Sequence, residues 1–128
     1  FAFYNCYSLT SVTIPDSVTS IGSDAFYYCT SLTNVTIGNG VKSIGSSAFL
    51  NCTSLTSVTI GNSVISIGNY AFGYCSALTS ITLPASVTEI ERWGLYESLK
   101  TINVPEGMTD HFKQILPEEY HEFIVEPK

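Results

Sequence analysis

Charge is scarce over most of this chain. Residues 1–88 of its 128 carry only Asp16, Asp24 and Lys42. The other nine acidic and four basic residues fall between 89 and 128, so net charge is about −1 in the first part and −5 in the second. No basic stripe exists to track a phosphate backbone or an anionic membrane surface, which argues against nucleic acid and against lipid headgroups as partners. Histidine is nearly missing: only His111 and His121 occur, both close to the C-terminus. A nucleophile needs a base within hydrogen-bond reach and a third group to orient it. The serines and cysteines upstream have no histidine in their own stretch, and Glu118, Glu119 and Glu122 crowd one segment instead of facing each other across a cleft. The reading is of a chain that is not an enzyme and takes no cofactor. No apolar run approaches the roughly 18–20 residues of a bilayer span, so no membrane insertion is expected. Sustained helical periodicity is absent as well.

What is present is repetition. Residues 9–31 read LTSVTIPDSVTSIGSDAFYYCTS, residues 32–54 read LTNVTIGNGVKSIGSSAFLNCTS, and residues 55–77 read LTSVTIGNSVISIGNYAFGYCSA. Leu9, Leu32, Leu55 and Leu78 are 23 apart, and so are Cys6, Cys29, Cys52 and Cys75. A fixed period of this length is the mark of a solenoid. The V-x-I pairs (Val12 with Ile14, Val35 with Ile37, Val58 with Ile60, Ile81 with Leu83) alternate with Ser, Asn and Thr. That period of two in β-branched residues predicts a short strand with one face inward. One unit has too few apolar side chains to offset the ordering of its own backbone, so units must stack and pair strand to strand. Gly22, Gly45 and Gly68, each after the second apolar pair, read as close coil turns, since a phosphate-binding loop needs more glycines and a helix.

The pattern L-x-x-V-x-I-P/G-x-x-V-x-x-I-G-x-x-A-F-x-x-C resembles the leucine-rich repeat of the BspA (Treponema) type, found mainly in bacterial surface proteins. The Asn of the general leucine-rich consensus is absent. The resemblance covers residues 1 to about 107 and implies a β-rich, right-handed, curved solenoid of short parallel strands with little helix and a small α/β C-terminal cap. It implies a cell-surface or secreted module for adhesion or for binding a protein or glycan, with V-x-I strands on the concave face. A passive stalk presenting an upstream domain is the alternative. Asn34-Val-Thr36 and Asn51-Cys-Thr53 match the N-glycosylation pattern and read as coincidences of the repeat.

The units divide as an N-terminal half-repeat 1–8, repeats 9–31, 32–54, 55–77 and 78–98, a last strand 99–107, and a cap 108–128. Residues 1–8 align with the second half of a unit, Ala2, Phe3 and Cys6 matching Ala25, Phe26 and Cys29. No signal peptide opens the sequence, so the true N-terminus is expected upstream, with either further repeats there or an exposed first coil. In residues 78–98 the pattern degrades: Gly94 and Leu95 stand in for Ala-Phe, the Cys is lost, and Leu99 arrives after 21 residues. A short helix is expected over Asp110–Leu116, capped by Thr109 or Asp110 and stopped by Pro117. His121–Glu126 reads as a closing strand, and the acidic tail as a solvated lid. Cysteines 23 apart are neither a C-x-x-C pair nor a converging ligand set. In a ladder their Cβ atoms stay about 4.8 Å apart, outside the disulfide range. No metal and no disulfide are expected, only buried thiols serving as small apolar residues. If Val and Ile point inward, two outward columns remain: Thr13, Thr36, Thr59, Thr82 and Asn103, beside Ser11, Asn34, Ser57, Ser80 and Thr101. These small hydroxyl and amide groups are the candidate binding residues, with Tyr28 and Tyr74, which share one repeat position, as a second candidate on the convex side.

Overall fold

The architecture is that of a computed structural model, which describes residue 3, residues 5–92 and residues 99–127. Each coil begins with a strand of the L-x-x-V-x-I segment: β1 (Ser11–Ile14), β3 (Asn34–Ile37), β5 (Ser57–Thr59), β7 (Ser80–Thr82) and β9 (Thr101–Asn103). A second, two-residue strand follows in four coils: β2 (Ser20–Ile21), β4 (Ser43–Ile44), β6 (Ser66–Ile67) and β8 (Glu89–Ile90). Every pairing is parallel. Val12 lies opposite Val35 and Val35 opposite Val58, so the 23-residue period of the sequence is the register of the ladder. The second strands form one four-stranded sheet, β2-β4-β6-β8.

The first strands do not make one sheet. They fall into two, β1-β3-β5 and β7-β9 closed by a final strand β10 (Ile124–Val125). Next to that seam Val58 and Ile60 are each 8% exposed, whereas Val35 and Ile37 are sealed at 0% and 2%. On the other side of the seam Ile81 and Leu83 are sealed at 1% and 0%, so the break in pairing does not open the core.

After the second strand the chain turns twice in eight residues. Ala25 N–H donates to Gly22 O and Cys29 N–H to Phe26 O, each a three-residue closure. Asp24 and Tyr28, third in their turns, have φ of 60°. A positive φ at that position is what a type II turn requires. The pattern repeats at Ser47 and Asn51, and at Tyr70 and Tyr74. Between the two left-handed residues, Ala and Phe point inward. Phe3, Phe26, Phe49 and Phe72 stack in a file with centroids 5.0, 5.0 and 5.3 Å apart and planes within 5°.

The glycines after the second strand open these turns, with Gly22, Gly45 and Gly68 O accepting from Ala25, Ala48 and Ala71 N–H. None of the three has a positive φ; the left-handed residue of each turn comes two later. A Cβ on Gly45 would lie 2.6 Å from Ser23 N, and one on Gly68 2.7 Å from Ser46 N. At those two positions close approach to the coil below leaves no room for a side chain, whereas a Cβ on Gly22 would meet nothing within 4 Å.

The cap departs from expectation in three places. Its helix α1 runs Thr109–Ile115, with Met108 at the N-cap and no side-chain cap from Thr109 or Asp110. The carboxylate of Glu126 takes that place: Oε1 accepts from Gly107 N–H at 3.0 Å, and Oε2 accepts from Thr109 N–H and the Thr109 hydroxyl. A full carboxylate suits the positive end of a helix better than a hydroxyl can. The first half of the segment expected as a strand, His121–Phe123, belongs to a 3-10 helix, Glu118–Phe123, and only Ile124–Val125 is extended. Tyr120, at 9% exposed, is drawn in that helical turn into the core cluster that also holds Phe112 and Leu116. The stand-in of Gly94 and Leu95 for Ala-Phe, and the match of Ala2, lie outside the described residues.

Candidate functional site

Alternation in the first strand settles which way each side chain faces. In β5 the pattern is exposed, buried, exposed for Ser57, Val58 and Thr59, and β7 repeats it for Ser80, Ile81 and Thr82. Of the candidate residues, Ser11, Thr13, Asn34, Ser57, Thr59, Ser80 and Thr82 are exposed, and Thr36, Thr101 and Asn103 are half-buried. Register brings them into columns. Thr13 is paired with Thr36 and Thr36 with Thr59, while Ser80 is paired with Thr101 and Thr82 with Asn103. The seam between β5 and β7 divides both columns, so the face is two patches side by side. In the second patch the Asn103 amide donates to Ser80 Oγ at 3.1 Å and Thr82 Oγ1 at 3.4 Å, which ties those three together.

Three sets of polar side chains act in the ladder itself. Thr33 Oγ1 donates to Thr10 O and Thr56 Oγ1 to Thr33 O, one coil back each time. At the following turn Asn39 N–H donates to Asp16 Oδ1, and Asn62 N–H to Asn39 Oδ1. The third set is the cysteines. All four are free, and the buried ones donate Sγ–H to a phenylalanine carbonyl of the coil below: Cys29 to Phe3, Cys52 to Phe26 and Cys75 to Phe49, at 3.1–3.3 Å. They are thus small apolar residues that also join coils. Burial pushes the Cys75 thiol up to about 12 and raises Cys29 and Cys52, where the neighbouring thiols of Cys75 and Cys29 add to the effect on Cys52. A thiol held protonated is a poor nucleophile and a poor metal ligand. The sequence carried the signal for these ladders, since Thr and Cys recur at the same place in successive units as far as Thr79 and Cys75, but periodicity alone does not tell a bonding group from a filler.

Both histidines are used in the cap. His111 Nε2–H donates to Val87 O at 2.7 Å and His121 Nε2–H to Leu116 O at 2.9 Å. The first bond docks α1 on the last repeats. Among the described residues no group of three His, Cys, Asp or Glu could hold a metal, and no helix is long and apolar enough to cross a membrane.

Parallel coils of 23 residues with an inward Leu, Val, Ile, Ala, Phe and Cys define a leucine-rich-repeat solenoid. The model of the BspA type leucine rich repeat region matches residues 1–116 in six copies, and the chain belongs to that family. Solved structures agree. A leucine-rich repeat protein of Bacteroides capillosus is 36% identical, with 76% of this chain and 78% of that one covered and a TM-score of 0.69. The leucine-rich repeat protein of T. pallidum is 32% identical over 91% of this chain and 61% of that one, with a TM-score of 0.76. A leucine-rich cell surface protein of Faecalibacterium prausnitzii is 41% identical over 80% of this chain but only 31% of its own length, with a TM-score of 0.64. No curated protein matches the chain.

Proposed function

We propose that the strand face is a binding surface for an extended protein or glycan partner, in a module displayed outside the cell for adhesion. The observation that carries this reading is the composition of the face. Its outward residues Ser11, Thr13, Asn34, Thr36, Ser57, Thr59, Ser80, Thr82, Thr101 and Asn103 are all small, uncharged hydroxyl or amide groups on a fixed spacing. Such a face offers many weak hydrogen bonds to a partner lying across several coils, each worth about 0.5–1.5 kcal/mol. A relative described as a cell surface protein, and a 27% identical structural neighbour described as a pneumococcal vaccine antigen, support the location. The reading is of binding without chemistry: the histidines are engaged with backbone carbonyls and three thiols are buried.

The test is a triple substitution of Thr36, Thr59 and Thr82 by Lys, compared with wild type for attachment of coated beads to immobilised host matrix proteins and glycans. Circular dichroism checks the fold. Binding through the face predicts loss of attachment with the fold retained, and only a small loss for any single change. Full attachment by a folded triple variant would establish the spacer alternative.

A further inference from the structure

A second column runs along the paired turns, away from the strand face. Asn5, Tyr28, Asn51 and Tyr74 occupy the same position in successive coils, and all four are left-handed, with φ between 56° and 62°. Their backbones are in register, with Asn5 N–H donating to Tyr27 O, Tyr28 N–H to Leu50 O and Asn51 N–H to Gly73 O at 2.8–2.9 Å. The column therefore alternates amide, aromatic, amide, aromatic. Asn suits a left-handed backbone and Tyr does not, yet Tyr stands at every second coil. Both tyrosines are solvent-facing, 39% exposed at Tyr28 and 46% at Tyr74. Tyr27 packs edge-on against Tyr28, centroids 4.6 Å apart, and steadies its ring.

The period of this column is two coils. Successive coils are 5.0–5.3 Å apart at the adjoining phenylalanine file, so equivalent tyrosines recur at about 10 Å. An extended β-1,4-linked glycan has the matching symmetry. Each sugar is turned over relative to the last, so the same ring face returns at every second sugar, a distance close to two coils. We propose that this column binds a neutral β-1,4-linked glycan lying along the solenoid axis. Alternate sugars stack their C–H faces on Tyr28 and Tyr74, and the Asn51 amide meets the hydroxyls of the sugar between them. Charge fits a neutral ligand, because Asp16, Asp24 and Lys42 are the only charged residues in the first 88. This site is independent of the strand face.

The experiment is calorimetric titration with cellohexaose and chitohexaose, with the α-1,4-linked maltohexaose as the control of wrong shape. Binding is expected for at least one β-linked hexamer and not for the α-linked one. Affinity should step up at least tenfold between disaccharide and trisaccharide, the shortest chain that reaches both rings. Tyr28→Asn with Tyr74→Asn should weaken binding at least tenfold while leaving the melting temperature unchanged or raised, since Asn is the residue the fold already uses at that position. Tyr28→Phe with Tyr74→Phe, which keeps the rings, should retain binding within about threefold, and the strand-face triple variant should bind as wild type. Absence of binding to both β-linked hexamers, equal binding of the α-linked one, or loss of binding in the Phe pair would overturn the proposal. Loss confined to the strand-face variant would overturn it too and assign the glycan to that face.

Discussion

Phe49 shows what a single side chain does in a stacked coil. Its ring is fully buried, with Phe26 5.0 Å below and Phe72 5.3 Å above, the three ring planes parallel to within 1° from one to the next. Removing it opens a cavity that neither neighbour can close without leaving its own coil. Phe49→Ala should lower stability by about 3–5 kcal/mol. Thr59→Ala, exposed on the outer column one coil on, should stay within about 1 kcal/mol. Thermal melts that rank the two in reverse would show the inward and outward assignment to be wrong. At this scale the sequence was legible wherever hydrophobicity repeats, because Val, Ile, Leu and Phe have one reason to recur in register. It was not legible for left-handed backbone. Asn and Asp, as at Asn5, Asp24 and Asn51, are common in that conformation, but Ser and Tyr, as at Ser47, Tyr28, Tyr70 and Tyr74, are not.

Among the elements, the cap depends most on one ionisable group. Glu126 is held below the ordinary glutamate range, first by the hydrogen bond from the Thr109 hydroxyl and then by that from Gly107 N–H. The sign follows from linkage. A carboxyl with a depressed folded value contributes stability that is fully present above its unfolded value, about 4.3. That contribution is lost as pH falls through the folded value. Cap unfolding should therefore become easier below about pH 4, and Glu126→Gln should flatten that part of the profile while lowering stability at pH 7. The NMR ring signals of Tyr120, buried in the cap, followed across an acid titration of both proteins would test this, and identical acid profiles would remove Glu126 from the account. The helix itself was visible in the sequence to within a residue at each end, because Pro117 stops it. Its cap was not, since the capping carboxylate is 17 residues further along and arrives only through the pairing of β10 with β9. Pairing also explains the shortened final strand. Six residues of alternating HEFIVE suit a strand locally, but burial of Tyr120 takes the first three into a 3-10 turn.

For the whole molecule, a fold in which each coil touches only its neighbours makes stability close to a sum of coil and interface terms. Two ladders here have an unbroken 23-residue step from coil to coil. Ser20, Ser43, Ser66 and Glu89 pair in sequence, and the Sγ–H of each buried Cys reaches the Phe carbonyl 26 residues back. Deleting residues 32–54 therefore joins Ser31 to Leu55 in the same way that it now joins Leu32. Val12 would meet Val58, Phe26 would meet Phe72, and Cys75 would reach Phe26 O in place of Phe49 O. The shortened chain should fold with the same circular dichroism shape and a single cooperative transition. Its denaturant m-value should fall roughly in proportion to the surface removed, since m follows the area exposed on unfolding. Deleting residues 32–51 removes less protein but shifts every later residue by three, placing Val58 and Ile60 opposite the exposed Pro15 and Ser17 of the coil below, and that chain should not fold. The pair separates register from size: if the 20-residue deletion were as stable as the 23-residue one, the coils would be held by general apolar burial rather than by the ladders, and the columns on both proposed binding faces would lose their fixed spacing.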